Sequence, residues 1–343
     1  MNAIRGKRVF VGLSGGVDSA VSAALLKQAG ANVTGVFIKG WYPPGMPCTW
    51  ATDRRDAMRV AARLQIPFYT LDASLEYKQG VIDYLLSEYA AGRTPNPDVM
   101  CNREVKFGAF WRFAQKNNAD FLATGHYAQQ REGKLLRGID ESKDQSYFLW
   151  AVPKEVIART LFPVGGLPKS ETRVLAQKFN LPVAEKKDSQ GICFLGSISV
   201  EDFLKEELGS ESGKAVTEDG KEVGMHTGAV LHTLGERVAL EKAGAGPWYV
   251  TKKDLKNNVL TVSHEQKKGN ALTSIQLRDT NWLSDSTDTL EAQYRYHGPR
   301  VPGTLSQDLK EFIPTNAIEE SVASGQSLVL YQGEVCVGGG IIS

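Results

Sequence analysis

The chain has 343 residues, of which 42% are hydrophobic and 23% are charged, and its formal net charge is +1 at pH 7. Residues 1–200 carry 26 Lys and Arg against 18 Asp and Glu, whereas residues 201–343 carry 14 against 21, so a polyanion would be drawn to the N-terminal part. No apolar run reaches the ~18 residues that would suggest a membrane span, and the N-terminus lacks the apolar region of a signal peptide, which predicts a cytoplasmic protein without a membrane partner.

Strand and helix patterns alternate over the first ~125 residues. The predicted strands are residues 8–13, 32–38, 67–73 and 120–126, and the predicted helices are residues 17–30, 52–65, 76–91 and 102–117. Thr52 is expected to cap the second helix. This alternation predicts an α/β fold with a doubly wound parallel sheet. Ligands of such sheets bind beyond the carboxyl ends of the strands.

The pattern changes in the second half of the chain. Helical patterns continue at residues 153–161 and 170–180, but from about residue 213 short alternating segments predict β structure. Apolar residues alternate on both sides of Gln332-Gly333, a pattern that is typical of a β-hairpin. We therefore predict three domains, a first domain followed by two smaller β-rich ones, and their predicted ranges are residues 1–205, 206–268 and 269–343.

A loop rich in glycine and serine, GLSGGVDS at residues 12–19, follows the first strand and opens the first helix. Bare backbone N–H groups at a helix N-terminus bind anions, and the serine hydroxyls add donors. The loop lacks the lysine of a Walker A motif and the spacing of a dinucleotide fingerprint. An ordinary tight turn is the alternative interpretation.

This loop resembles the PP-loop of ATP pyrophosphatases, which cleave ATP between its α- and β-phosphates. The resemblance implies that the loop holds the phosphates through Gly12, Leu13, Ser14, Gly15, Gly16, Val17, Asp18 and Ser19. It also implies that Asp18 helps to position a magnesium ion on them. Ile38 and Gly125 fit the surroundings of the adenine and ribose. His126 is either a packed structural histidine or a ligand.

The segment GRTPNPDVMCN, residues 92–102, contains a cysteine with a chemically unusual setting. Asp98 is expected to cap a helix whose first turn contains Cys101, where the helix dipole favours a thiolate. Asp98 is close enough to act as a general acid or base, and Arg93 and Arg103 would offset its charge. The alternative is that Cys101 is only a small buried hydrophobe.

The other cysteines are far apart in the sequence. Cys193 lies in KKDSQGICFLG and is either structural or reactive, Cys48 follows a Pro-rich loop and is expected to be a spectator, and Cys336 is expected to be buried. No C-x-x-C pair occurs, so a structural zinc site is not expected. His226 and His232 lie in β-like segments and are assigned no metal.

Six motifs together resemble the bacterial tRNA-specific 2-thiouridylase family. They are GLSGGVDS, GRTPNPDVMCN, ATGHYA at 123–128, KDQSYFLW at 143–150, DSQGICFLG and the terminal GEVCVGGGII. They stand in the family's order and cover nearly the whole chain. Gln190 is a departure, since the family has threonine at that place.

The resemblance implies a PP-loop domain with a helical tRNA-binding extension, followed by two β-rich domains of which the last is barrel-like. It implies that ATP adenylates the C2 oxygen of the wobble uridine in tRNAs for Lys, Glu and Gln, and that sulfur then replaces this oxygen. Cys193 would receive a persulfide from a sulfur-carrier protein, with Cys101 as the partner thiol.

The resemblance also implies contacts to RNA. Asn96, Pro97 and Asp98 would contact the target base. The residues implied to contact the anticodon stem-loop are Lys143, Asp144, Gln145, Arg295 and Tyr296.

Two other functions stay open. A PP-loop C–N ligase would use the adenylate without needing either thiol, and an ATP-regulated RNA-binding protein would bind tRNA without forming AMP. Within the leading hypothesis, sulfide release by Cys101 and direct transfer from the Cys193 persulfide are both compatible with the sequence.

Overall fold

The computed structural model describes residues 4–43, 50–187, 199–209, 211–241, 244, 246–265, 271–285 and 289–343. Its strands are β1 (Arg8–Gly12), β2 (Asn32–Lys39), β3 (Phe68–Asp72), β4 (Phe121–Ala123), β5 (Ala128–Arg131), β6 (Lys134–Arg137), β7 (Thr160–Leu161), β8 (Gly213–Val216), β9 (Glu222–His226), β10 (Arg237–Val238), β11 (Trp248–Asp254), β12 (Val259–Ser263), β13 (Ile275–Trp282), β14 (Leu290–Gln293), β15 (Val301–Leu305), β16 (Glu311–Pro314), β17 (Ser327–Gln332) and β18 (Val335–Ile342).

The α-helices lie mostly in the first two hundred residues. They are α1 (Val17–Gln28), α2 (Trp50–Leu64), α3 (Ser74–Tyr77), α4 (Tyr84–Ala90), α5 (Pro97–Met100), α6 (Phe110–Lys116), α7 (Lys154–Ile157), α8 (Lys169–Lys178) and α9 (Val200–Leu208). Two π-helical segments, Lys78–Asp83 and Cys101–Ala109, join α3 to α4 and α5 to α6. Among the described residues, no helix is long and apolar enough to cross a membrane.

The first sheet is parallel throughout, with the strand order β3-β2-β1-β4-β7. Successive side chains of a strand point to opposite faces. Val9 and Val11 therefore pack with α1, α2 and α8 on one face, while Phe10 packs with α3 to α6 on the other. Helices cover both faces, so the predicted doubly wound α/β fold is confirmed.

Several predicted details of the elements are wrong. Helix α2 begins at Trp50, so Thr52 lies inside its first turn and does not cap it. The helix predicted at 153–161 ends at Ile157, and Thr160–Leu161 forms the edge strand β7 instead. The terminal hairpin turns through Gly333 and Glu334, because Gln332 pairs with Val335.

The two other sheets are mainly antiparallel. The second has the order β10-β11-β12-β8-β9, in which the β12–β8 pair is parallel and the other described pairs are antiparallel. The third has the order β13-β16-β15-β14-β17-β18-β6-β5, and β13 also pairs with β18, which closes a six-stranded barrel. Each sheet has its own apolar core.

One hairpin links the first part of the chain to the barrel. Strands β5 and β6 come directly after β4 of the parallel sheet, yet β6 pairs with β18 through Leu135–Cys336 and Leu136–Val335. The sequence pattern does not predict this connection. It extends the barrel sheet onto the first domain and fixes the two parts to each other.

Candidate active site

The loop at residues 12–16 lies at the carboxyl end of β1, in the middle of the parallel sheet. The Leu13 N–H donates to the Val36 carbonyl at 2.8 Å, so the loop leaves the sheet still attached to β2. Inside the loop, the Ser14 N–H donates to the Ser19 hydroxyl at 3.2 Å and the Gly16 N–H donates to the Ser14 hydroxyl at 3.3 Å. These bonds fold the loop around the N-terminus of α1, which is the geometry that favours an anion.

Two glycines of the predicted ATP site are required by close backbone packing. Gly15 has φ +77°, and a Cβ there would lie 2.3 Å from the carbonyl oxygen of Asp53 on α2. A Cβ on Gly125 would lie 2.6 Å from the Ser19 nitrogen. Gly125 therefore packs against the start of α1, and Ile38 is half-buried at the carboxyl end of β2. The structure thus brings the predicted ATP-binding residues to one edge of the sheet.

Asp18, in the first turn of α1, is held by two side chains that are absent from the predicted site residues. The Lys169 ammonium donates to both carboxylate oxygens, at 2.6 and 2.8 Å, and the Tyr127 hydroxyl donates to one of them at 2.9 Å. Both carboxylate oxygens of Asp18, the residue predicted to position magnesium, therefore face an ammonium group. A carboxylate that holds an ammonium group in this way is chemically suited to a divalent cation.

A signal for Lys169 was present in the sequence. Lys169 is the first residue of α8, after Pro168 at the N-cap, and a positive charge is unfavourable at a helix N-terminus. Such a lysine requires a compensating partner, and here the partner is Asp18, 151 positions away. Sequence spacing alone could not supply that partner.

The Cys101 segment forms one continuous helical run from Pro97 to Lys116. The predicted cap is wrong, because Asn96 is the N-cap and its side-chain oxygen accepts from the Val99 N–H at 3.4 Å. Pro97 takes the first helical position and Asp98 the second. Cys101 is buried, with 7% of its surface exposed, and begins the π-helical part.

Asp98 is solvent-exposed, but the protein around it raises the pKa of its carboxyl above the usual aspartate value by desolvation, with Lys106 opposing. Arg93 and Arg103 do not offset its charge as expected. Arg93 is paired with Glu88 at 2.6 Å and Arg103 with Glu104 at 2.6 Å. Asp98 lies three residues before Cys101 on the same helical run, so both occupy one face.

His126 is a packed neutral histidine. Its Nδ1 is 2.7 Å from the Thr124 hydroxyl, and its ring packs against the rings of Phe107 and Phe162, with centroid distances of 5.7 and 6.3 Å. Burial lowers the pKa of His126 well below its ordinary value, with Lys106 acting in the same direction. Phe107 belongs to the Cys101 helical run, so this histidine connects that run to the nucleotide side.

The two predicted tRNA-contact motifs meet in space. Tyr296 packs on Phe148, with ring centroids 4.4 Å apart, and Phe148 follows the Lys143–Gln145 motif. The Asn102 side chain, next to Cys101, donates to the Phe148 carbonyl at 3.1 Å. The sequence separates these three segments by tens to almost two hundred residues, and the fold places them together.

Within these motifs, several polar groups already have protein partners. The Asp144 carboxylate accepts hydrogen bonds from Gly138 and Ser146, and the Gln145 side-chain oxygen accepts from the Tyr127 N–H at 3.0 Å. Arg295 is half-exposed and pairs with Glu320 at 2.7 Å. A cavity of about 600 Å³ lies beside Arg295, lined also by Thr233, Glu236, Tyr294 and Gln326.

Three family models match consecutive parts of the chain. Residues 7–197 match the tRNA methyl transferase HUP domain, residues 201–264 the tRNA methyl transferase PRC-barrel domain, and residues 272–342 the aminomethyltransferase beta-barrel domain. The tRNA-specific 2-thiouridylase MnmA of Pseudomonas fluorescens (strain SBW25) is 45% identical over 353 residues, which cover 98% of this chain and 94% of that relative.

The chain belongs to the tRNA-specific 2-thiouridylase family.

Other members of the 2-thiouridylase family align over the same length. The MnmA of Hahella chejuensis (strain KCTC 2396) is 44% identical over 359 residues, covering 100% of this chain and 99% of that relative. A solved structure of the U34-tRNA thiolase NcsA from Methanococcus maripaludis superposes with a TM-score of 0.37 and 17% identity over 60% of this chain and 68% of its own.

Of the four cysteines of this 2-thiouridylase family member, two can be placed. Cys101 lies at the start of the π-helical segment, and Cys336 is fully buried in β18, as predicted, where burial raises the pKa of its thiol to about 12. Cys193, Gln190 and Cys48 lie outside the described residues. Among the residues that the structure describes, no group of three or more His, Cys, Asp or Glu could hold a metal ion.

The residues on either side of 188–198 are anchored on different parts of the site. Before it, the Lys186 ammonium donates to Asp53 at 2.9 Å and to Asp56 at 2.8 Å on α2, and Asp53 is the residue that Gly15 packs against. Burial lowers the pKa of Lys186, but these two hydrogen bonds raise it on balance. After it, Phe203 of α9 packs into the same core as Cys101.

Proposed function

We propose that this protein is a tRNA uridine 2-sulfurtransferase, which uses ATP to adenylate the C2 oxygen of the wobble uridine in tRNAs for Lys, Glu and Gln and then replaces that oxygen with sulfur. The observation that carries the proposal is the position of the Cys101 helical run. It contacts the nucleotide side through Phe110, which lies against Gly12, and through Phe107 on His126. It contacts the Phe148–Tyr296 pair through Asn102.

The nucleotide side supports the first half of this reaction. The loop at 12–16 and the N-terminus of α1 offer backbone N–H groups to the phosphates of ATP. Asp18 would hold a magnesium ion, which when bound neutralises phosphate charge, and Lys169 would then be freed to contact phosphate oxygens. Ile38 and Gly125 would line the adenosine side. Adenylation converts the C2 oxygen, a poor leaving group, into part of AMP.

The Cys101 side supports the second half. The terminal sulfur of a Cys193 persulfide attacks C2, AMP leaves with the original oxygen, and Cys101 then attacks the Cys193 sulfur to release 2-thiouridine. In the other route, Cys101 attacks the persulfide first and the released hydrosulfide attacks C2. Both routes end with a Cys101–Cys193 disulfide and need a thiol reductant to return to the start. Asp98 would take up the Cys101 proton as a general base.

Residues 188–198 must bring Cys193 to Cys101 for either route. A disulfide needs Cα atoms ~4.4–6.8 Å apart. Support comes from the flanking anchors, since Lys186 is fixed beside the nucleotide loop and Phe203 shares the core of Cys101. The persulfide would come from a sulfur-carrier protein.

The RNA partner is the anticodon stem-loop of tRNA. Asn96, Pro97 and Asp98 would contact the target base, and the surface around Lys143–Gln145, Arg295 and Tyr296 would contact the rest of the loop. The wobble base must leave its stack, which costs a few kcal/mol and is easiest in a single-stranded loop. The basic residues of the N-terminal part would hold phosphates, so affinity should fall with salt.

We also propose the domain division 1–205, 206–268 and 269–343, with the first range combining the PP-loop domain and a helical tRNA-binding extension, and a cytoplasmic location. The division is supported by the three sheets, of which only the β5–β6 hairpin crosses a proposed boundary.

The function is tested by mass spectrometry of tRNA nucleosides after incubation with ATP, magnesium, a persulfide donor and a thiol reductant. We expect 2-thiouridine in place of the wobble uridine, together with AMP and pyrophosphate. A C–N ligase would form AMP without 2-thiouridine, and an ATP-regulated RNA-binding protein would form neither, so each of these results would reject the proposal. Full activity of both Cys101→Ser and Cys193→Ser with a persulfide donor would reject the thiol mechanism.

A further inference from the structure

The segment Gly92–Pro95, directly before the base-contact residues Asn96–Asp98, is fastened to both β domains. We call it the strut. Most of its contacts come from elements more than 130 residues away in the sequence. This is unusual for a loop, whose backbone groups commonly bond to water or to neighbouring residues.

The central β domain holds the start of the strut. The ammonium of Lys253, on β11, donates to the Gly92 carbonyl at 2.8 Å and to the His232 carbonyl at 2.7 Å. The Thr94 hydroxyl is 3.1 Å from the hydroxyl of Thr233, the residue after His232. Gly92 has φ +76°, and a Cβ there would lie 2.5 Å from Leu255, so the strut packs closely on this domain.

The barrel domain holds the end of the strut. The Thr94 N–H donates to the Ser324 carbonyl at 2.8 Å, and the Gln326 side chain donates to the Thr94 carbonyl at 2.9 Å. A Cβ on Gly325 would lie 2.9 Å from the Thr94 backbone. The strut is therefore clamped between two domains, and its helical continuation carries Asp98 and Cys101.

Lys253 is half-buried, and its ammonium group is held by the carbonyl oxygens of Gly92 and His232. Burial lowers the pKa of Lys253, with Glu236 opposing. An ammonium group has three N–H donors, and here two of them go to carbonyl oxygens of different segments. Its neighbour on the same strand, Lys252, is exposed and points to the other face.

We propose that Lys253 is a positioning residue for thiolation: by tying the strut to the central β domain, it places Asn96–Asp98 and Cys101 against the target uridine. This inference rests on the proposed function. It assigns the central β domain a role in the chemistry that is separate from RNA affinity. A displacement of ~1 Å at a reacting group can lower a rate by about a hundredfold.

The test compares three variants of the full-length protein in the 2-thiouridine assay. Lys253→Met keeps the length of the side chain and removes its donors, Lys253→Arg restores a cationic donor, and Lys252→Met is the matched control. We expect Lys253→Met to lower kcat about 10- to 100-fold with the KM for tRNA unchanged, partial recovery in Lys253→Arg, and no change in Lys252→Met. ATP affinity should be unchanged in all three.

Two results would overturn the inference. They are an unchanged kcat in Lys253→Met, and a higher KM for tRNA with unchanged kcat, which would make Lys253 an RNA contact. If Lys253→Met fails to fold, Thr94→Val serves as the second variant, because it removes the hydroxyl contact to Thr233 and keeps the shape of the side chain. A lower kcat with an unchanged KM for tRNA then supports the inference, and an unchanged kcat overturns it. An inactive parent protein would reject the proposed function itself, whereas an active parent with an equally active Lys253→Met rejects only this inference.

Discussion

The nucleotide side and the cysteine side of this protein are built in different ways. The loop at 12–16 is shaped by its own strand and helix, with hydrogen bonds that span at most five residues inside the loop. The Cys101 segment is placed by long-range contacts, among them Asn102 to Phe148 and Gln326 to Thr94. The fold of the loop at 12–16 thus depends mainly on local hydrogen bonds, whereas the position of the Cys101 segment depends on contacts with distant parts of the chain.

The largest expected effect is on the cysteine side. Cys101→Ser should lower 2-thiouridine formation by a factor on the order of 10⁴ or more, because the partner thiol is lost. It should still release pyrophosphate in a single turnover, because the nucleotide loop is intact. Nucleoside mass spectrometry and a pyrophosphate assay measure the two steps, with Cys336→Ala as the control for a buried spectator thiol. Thiolation that persists in Cys101→Ser would contradict the assignment of sulfur transfer to Cys101.

On the nucleotide side, Lys169→Met should slow pyrophosphate release by about 10²- to 10³-fold, because a cationic group is removed from the place where phosphate charge develops. Binding of tRNA should not change. Lys178→Met, at the exposed end of the same helix, is the matched control. If Lys169→Met releases pyrophosphate normally but forms 2-thiouridine slowly, Lys169 acts in sulfur transfer and not in the reaction of ATP.

Asp98 should make the cysteine side depend on pH. Desolvation raises the pKa of its carboxyl, so the carboxylate accumulates only as pH climbs through a value above that of an ordinary aspartate. If it acts as the base for Cys101, the thiolation rate should rise with pH over that range. Asp98→Asn should lower the rate about 10²-fold and remove this limb of the profile. Pyrophosphate release should keep its own pH dependence, and a shared profile would show that Asp98 acts on both steps.

Among these predictions, a change at Glu88 should have the smallest effect on the reaction. Its effect on the stability of the protein should be large. The Glu88 side chain is 5% exposed and pairs with Arg93 of the strut at 2.6 Å and with Arg278 of β13 at 2.5 Å. Glu88→Gln removes the counter-charge of Arg93 and one of the two carboxylates beside Arg278, whose other partner is Asp279 at 2.9 Å, and it should lower the free energy of unfolding by about 3 kcal/mol at pH 7. Urea unfolding measures this loss, with the exposed Glu222→Gln as the control.

The same pair gives a pH test with a definite sign. The hydrogen bond from Arg93 lowers the pKa of Glu88 below its usual 4.5, since it and Arg278 outweigh the opposing effect of burial. The stabilisation is therefore present above pH 4.5 and is lost as pH falls through the lower folded-state pKa. The difference between the parent and Glu88→Gln should shrink in that acid range. A difference that stays constant would mean that packing, not charge, accounts for it.

The same contrast between local and long-range contacts explains which features could be predicted from the sequence. The parallel sheet, the loop at 12–19 and the buried Cys336 were predictable because periodicity and turn chemistry are local signals. The cap of the Cys101 helix was predictable too, since proline favours the first helical position and so points to Asn96. The π-helical segment, the Asp18–Lys169 pair and the strut were not, because each depends on groups brought together by tertiary packing.

The β5–β6 hairpin has a consequence for synthesis on the ribosome. One edge of β6 pairs with β5 and the other pairs with β18, which begins at Val335. Roughly 200 further residues must therefore be translated after Leu136 before the second edge of β6 is covered. At ~5–20 residues per second, the hairpin waits on the order of 10–40 s with an open edge. A nascent chain of this protein therefore covers the edge of this hairpin only after β18 has emerged, and a chain that stops before β18 would keep an exposed edge that invites aggregation.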